Sequence, residues 1–296
     1  MERPADASEI IRQVRDIEIN TKRLVDGLIS GRYHSVFMGQ GVEFSEIREY
    51  RPGDDIRSID WKVTARFDRP YIKEYIEERD LRVYFLLDVS TSGSFGNKTS
   101  KRWKATELIA TLMFSAMRNN DAVGLMLFSD GKELFVPARK GKRHVLKLLG
   151  TMLSYKPSSN NTDLARALNF FSRVVKRRSV VFIISDFMTS EFSKELKMLR
   201  SKHDIIGVNI FDDREMDIPD IGLVELEDEE TGEQILLDSS DSAFRTAYLE
   251  LMLSQRRKLR SIFMKSGADL IELSTDEDYE VPLKRFFRHR IRRMVR

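Results

Sequence analysis

Val83-Tyr84-Phe85-Leu86-Leu87-Asp88-Val89-Ser90-Thr91-Ser92 decides the fold. Five apolar residues run straight into an aspartate, and hydroxyls follow at alternate positions. A short apolar run containing β-branched and aromatic residues, without polar alternation, is the pattern of a strand buried on both faces. A segment with Lys104, Leu108, Leu112 and Phe114 at helical spacing comes next. Strand, polar loop and helix begin a doubly wound α/β unit, in which ligands bind beyond the carboxyl ends of the strands. Asp88, Ser90 and Ser92 therefore stand where a ligand is expected. One carboxylate and two hydroxyls are hard oxygen donors, suited to Mg²⁺ or Mn²⁺ and poor for zinc.

Downstream, the alternation is regular. The spacing predicts a helix over 101–118 and a strand over 122–128, with a turn at Ser129-Asp130-Gly131-Lys132 and a hairpin completed by 134–136. A helix is expected over 143–153, then a loop with Pro157. Asn161 or Thr162 is expected to cap a helix from Asp163 to about Val175. A buried strand, 180–185, ends at Asp186. Helix 192–201, strand 204–211, a hairpin turning at Thr231-Gly232, a long helix over 243–266, strand 269–273 and a helix from Tyr279 complete the series. Such alternation implies a doubly wound, mainly parallel sheet covered on both faces.

Upstream the character changes. Ile10, Val14, Ile17, Leu24 and Leu28 predict an amphipathic helix over 8–30, ended by Gly31 and docked on its own protein. Residues 31–82 are dense in turn signals and alternating charges. Arg48, Arg57 or Arg66 is expected to pair with Glu43, Glu49, Asp54, Asp55 or Asp60, around a small core of Phe44, Tyr50, Trp61 and Phe67. The resulting division is residues 1–79 as an N-terminal helix and charged lobe, and 80–296 as the α/β domain.

The net charge of +3 is too small to demand a polyanionic partner. With no cysteine, disulfides, thiolate metal sites and cysteine nucleophiles are excluded. Residues 1–8 carry no apolar signal core, and no apolar run approaches the roughly 18 residues of a membrane span. The expectation is a soluble, cytoplasmic protein without a membrane span.

Three strand-to-helix positions share one edge of the expected sheet: Asp88 with Ser90 and Ser92, then Thr162, then Asp186. They meet if their strands are neighbours, and together offer two carboxylates and three hydroxyls to an octahedral cation. In this order the residues resemble the metal-ion-dependent adhesion site of a von Willebrand factor type A domain, over residues 81 to about 290. The resemblance implies hydroxyls that touch the metal, aspartates that bind it largely through water, and a position left for an acidic side chain of a partner. Upstream, Gly39-Gln40-Gly41, Glu43-Phe44, Arg48-Glu49-Tyr50, Pro52-Gly53-Asp54-Asp55, Arg57, Ile59-Asp60-Trp61 and Thr64-Ala65-Arg66 resemble the signature of domain of unknown function 58. That family is associated with MoxR-type AAA+ ATPases, which implies an adaptor or chaperone-like module beside the ATPase.

Two other classes compete. A strand-end Asp with Mg²⁺ also serves phosphotransferases as a nucleophile. Haloacid-dehalogenase-type enzymes then place an acid/base Asp two residues on, where this chain has Ser90. Lys98, Lys101 and Lys104 read equally as phosphate ligands and as solvated surface. No Walker loop occurs, and His34, His144, His203 and His289 fall outside the constellation. Nucleic acid is an unlikely partner: the basic stretch from Lys284 to Arg296 has Leu283, Phe286, Phe287, Arg290, Ile291 and Met294 at helical spacing. Its apolar side is expected to dock on the domain, leaving a solvated basic face.

Overall fold

The computed structural model describes residues 7–24, 43–67, 69–76, 81–90, 100–159, 161–215, 220–227 and 234–294. Contacts divide the chain into two units, Met38–Asp80 and Met1–Phe37 with Leu81–Arg296. The boundary differs from a split at residue 79. Helix α1 (Ala7–Leu24) belongs with the α/β unit, because Val14 and Ile17 join that unit's core. The expected end of this helix, at Ser30 and Gly31, lies outside the described residues.

The α/β unit is built on the quoted run. Strand β3 (Arg82–Asp88) is buried from Val83 to Leu87. It pairs in parallel with β4 (Ala122–Phe128) and β6 (Val180–Ser185), and β6 pairs in parallel with β7 (Asp204–Phe211). At one edge, β10 (Asp269–Ser274) continues the parallel set beside β7; at the other, β5 (Lys132–Arg139) returns antiparallel to β4. The six-stranded order is β10-β7-β6-β3-β4-β5. It is mainly parallel, as the alternation required.

Period two sorts the side chains of β3. Val83, Phe85 and Leu87 face a layer made by α1, α3 (Lys101–Arg118), α4 (Lys142–Ser154) and α8 (Glu280–Met294). Tyr84 and Leu86 face α5 (Leu164–Val174), α6 (Ser193–Arg200) and α7 (Ser242–Ser266). Phe85 stacks on Phe182 at 5.3 Å. Full burial of such a side chain is worth about 1.5–3 kcal/mol. Close approach explains Gly207 in β7: a Cβ there would stand 2.4 Å from the ring of Phe263 on α7.

The last helix docks as its spacing requires, with Leu283 and Phe287 buried. Arg290 pairs with Asp204 and Asp269, and Arg293 with Asp269, so part of the basic stretch pins the starts of β7 and β10. Strands β8 (Leu223–Glu227) and β9 (Gln234–Asp238) form the expected hairpin, whose turn at Thr231-Gly232 lies outside the described residues. Among the described residues, no helix is long and apolar enough to cross a membrane.

In the lobe, β1 (Glu43–Glu49) pairs antiparallel with β2 (Tyr71–Ile76). Between them come a 3₁₀ turn (Ile56–Ser58) and α2 (Trp61–Phe67). The Asp55 side chain accepts from the Arg57 N–H, and that of Asp60 from the Lys62 N–H. Thr64 Oγ1 accepts the Tyr71 N–H at 3.0 Å. Arg48 is the arginine that pairs, bidentate to Asp54 at 2.8 and 3.0 Å. Arg57 and Arg66 make no ion pair with a described residue; Arg69 reaches Glu49 at 3.0 Å instead. The expected aromatic core is corrected as well. Trp61 is 68% exposed and Phe67 63% exposed, because α2 is too short to bury its face and lies among polar turns. The Phe44 side chain lies outside the described set.

Candidate metal centre

The parallel register of β3 and β6 places Leu87 opposite Ile184. Asp88 and the pair Ser185-Asp186 therefore leave the sheet side by side. The third segment reaches the same edge because the Asp163 N–H donates to the carbonyl of Ser129, just past β4, at 2.8 Å. Asp163, not Asn161 or Thr162, caps α5: its side chain accepts the Arg166 N–H at 2.8 Å. That one-residue difference frees the Thr162 hydroxyl, which lies 3.3 and 3.4 Å from the Asp88 carboxylate oxygens.

Asp88 is the hub. It accepts from the Ser90 N–H at 3.1 Å and from Ser185 Oγ at 2.7 Å, besides Thr162. Burial pushes its carboxyl up to about 6, the Asp186 charge adds to the rise, and the Ser185 and Ser90 donors oppose it. Asp186 accepts the Met188 N–H at 3.1 Å through Oδ1 and meets Lys101 Nζ at 3.4 Å through Oδ2. Lys101 also pairs with Glu215. Asp88, Ser90, Lys101, Ser185 and Asp186 surround a cavity of about 30 Å³.

The structure thus brings together Asp88, Ser90, Thr162 and Asp186, while Ser92 lies outside the described residues. Lys101, read from sequence as a phosphate ligand or solvated surface, is not surface; it is 6% exposed and held between two carboxylates. The signal was its place in the first turn of α3. A cation there opposes the helix dipole unless carboxylates compensate it. Ser185 was also missed, although alternation along β6 puts its hydroxyl beside Asp88.

The loop after β6 is set by an unusual backbone. Phe187 has φ 57°, a left-handed value that a bulky residue rarely adopts. Its N–H donates to Ser185 Oγ at 2.9 Å, and its ring packs on Phe192 and Phe263. Thr189 Oγ1 donates to the Thr162 carbonyl at 2.9 Å, joining this loop to the α5 turn.

Among the described residues, no group of three or more His, Cys, Asp and Glu is placed to hold a metal ion. The donors here are of another kind, two carboxylates with hydroxyls. They fit a hard divalent cation in type. They also fit in charge, since Asp186 and Glu215 share one ammonium, and burial and the Asp186 charge both raise the Asp88 carboxyl.

Sheet and edge define a doubly wound, mainly parallel α/β domain with hard oxygen donors at the carboxyl ends of its strands. Within that class, the sequence profile of the family described as "Protein of unknown function DUF58" matches residues 46–258, and the chain belongs to that family. An uncharacterized Mycobacterium tuberculosis protein is 30% identical over 291 residues, 97% of this chain and 92% of its own. Among solved structures, an aerotolerance-related membrane protein from Bacteroides fragilis is similar with a TM-score of 0.47 and 18% identity, over 72% of this chain and 100% of its own. The VWA domain of an Rpn10 protein gives 0.39 and 12%, over 69% and 94%.

Proposed function

We propose that this chain is a metal-ion-dependent protein-interaction module, not an enzyme, serving as an adaptor or chaperone-like partner of a MoxR-type AAA+ ATPase. The observation that carries the reading is the convergence of Asp88, Ser90, Thr162 and Asp186 on one edge, with the Asp88 carboxylate buried against a second carboxylate. These residues, with Ser92, would hold Mg²⁺ or Mn²⁺. Held there, such an ion would offer a position for an acidic side chain of a protein partner, the ATPase or its client. Ser185 and the Ser90 N–H orient Asp88, and Lys101 balances Asp186. Against an enzyme stands Ser90, where a phosphotransferase of the haloacid-dehalogenase type needs a second carboxylic acid. We place the chain in the reducing cytoplasm, in keeping with a composition free of cysteine.

Calorimetric titration of Mg²⁺ and Mn²⁺ into wild type and Asp88→Ala tests the site. Heat of binding in the first and none in the second is expected. A pull-down with Mg²⁺ or with EDTA then tests the partner. Recovery of an AAA+ ATPase only with Mg²⁺ supports the adaptor role; equal recovery by Asp88→Ala would remove the metal from the mechanism.

A further inference from the structure

Beside the carboxylate edge lies a cleft of about 660 Å³, between the loop after β6 and helix α7. One end is formed by Thr162 and Asp186, and the wall by Phe187, Met188, Leu259 and Ile262. Asn209 lines it from β7. The position is anomalous. Alternation along β7 points Ile205, Gly207 and Asn209 toward the α6–α7 layer, where Ile205 is core and Phe263 fills the space above Gly207. An apolar residue is expected next in that series. Instead Asn209 is 5% exposed, and its Oδ1 has no hydrogen-bond partner among the described residues. A buried amide oxygen left without a donor is costly, and native proteins hold few of them.

We propose that this cleft binds an extended segment of a partner protein in which an acidic residue is followed by a large apolar one. The proposal rests on the metal-site reading for the acidic residue, whose carboxylate comes to the Thr162–Asp186 end. The apolar side chain seats against Met188, Leu259 and Ile262, and a main-chain N–H of the segment donates to Asn209 Oδ1. The lining selects this chemistry. Asp186 and Glu215 already share Lys101, and Asp212 accepts from the Arg214 N–H and the Thr275 hydroxyl, so the buried acceptor left to satisfy is Asn209 Oδ1, which a neutral main-chain N–H suits. The cations on the wall are committed: Arg256 to Glu272 and the face of Phe211, Lys258 to Glu191. A phosphate or nucleic-acid anion is therefore disfavoured. An apolar anchor in a pocket with a polar rim is the usual form of a peptide hot spot.

Met188 and Met252 line the cleft, so methyl-labelled methionine NMR of the full chain reads its occupancy. The probes are capped heptapeptides with a central Asp followed by Leu, Phe, Ala or Lys, titrated to millimolar concentration with excess MgCl₂. The Leu and Phe peptides are expected to shift both methyl signals, and the Ala and Lys peptides to bind at least tenfold more weakly. Asn209→Leu is expected to weaken the Phe peptide about fivefold, the value of one net hydrogen bond, while raising Tm. Met188→Lys, in an exposed loop, gives a second variant with the same loss. Shifts that persist without Mg²⁺ and in Asp88→Ala would keep the cleft and sink the metal reading. Calorimetric Mg²⁺ binding without methyl shifts from any peptide would do the reverse. Shifts induced only by small-molecule fragments would also overturn the proposal, by assigning the cleft to a metabolite.

Discussion

In the α/β unit every residue from Val83 to Leu87 is buried. In the lobe, Ile72 is the buried side chain among those described, and Ile56, Trp61 and Phe67 stand in solvent. The first unit is held by apolar area on two sides of one sheet. Among its described residues the second shows the β1–β2 ladder and short-range polar links: Arg48 to Asp54, Asp55 and Asp60 to nearby backbone N–H groups, and Thr64 to Tyr71. The difference teaches where each part is vulnerable. Volume changes should injure the sheet, whereas pH and salt should injure the lobe.

The largest effect is expected from Phe85→Ala, which removes one ring of the Phe85–Phe182 stack from the core. Such truncations cost about 3–5 kcal/mol, and urea unfolding should show that loss in the sheet transition. Next comes Lys101→Met, which strips Asp186 and Glu215 of their common partner. Breaking a buried pair from one side costs on the order of 3 kcal/mol. Thermal unfolding in EDTA should show it, and Mg²⁺ should recover part of it. No recovery would argue against a cation at this edge.

Asp88 sharpens the contrast through pH. Its folded carboxyl is raised to about 6, above the ordinary 3.8. Between those values the folded state holds more protons than the unfolded, so stability falls as pH rises through the window. The effect is on the order of 3 kcal/mol by the usual conversion of a pKa shift. Asp88→Asn should therefore flatten the decline between pH 4 and pH 7, read from urea midpoints in EDTA. The smallest effect belongs to the lobe and has the opposite sign. Arg48 and the Arg51 N–H hold the Asp54 carboxyl down at about 2. That contribution is complete above 3.8 and lost as pH falls toward 2. Arg48→Ala should speed proteolysis within residues 43–76 at pH 7, with little further change at pH 2 and no change in the sheet transition.

Legibility followed the same divide. The strands of the sheet were readable because burial on both faces leaves an unbroken apolar run in the sequence, as in 180–185. The partners across the edge were partly readable, since a strand end followed by a polar loop announces itself. The roles of Thr162 and Asp163 were not separable by pattern, because both residues are good caps; the Arg166 N–H bond to the Asp163 side chain settles which one caps and which one meets Asp88. Lys101 was hidden because its two partners, Asp186 and Glu215, are far away in sequence. In the lobe, charges could be seen to crowd together, but which arginine met which carboxylate depended on the β1–β2 hairpin and its turns. Arg48 won over Arg57 and Arg66 for that reason. The aromatic residues misled, since a short helix among turns cannot bury a Trp.

The backbone at Phe187 has a kinetic meaning. A bulky residue held at φ 57° costs on the order of 1–3 kcal/mol, and here that strain is held by the Ser185 hydroxyl and by two aromatic neighbours. The loop that carries Asp186 is therefore braced by its own neighbours. On the proposed interaction role, encounter need not wait for it to rearrange, and less ordering entropy is left to lose on capture. Relaxing the strain with Phe187→Gly should stiffen nothing and loosen the presentation of Asp186. Recognition at this edge would then become slower in its on-rate, even where the final contacts stay the same.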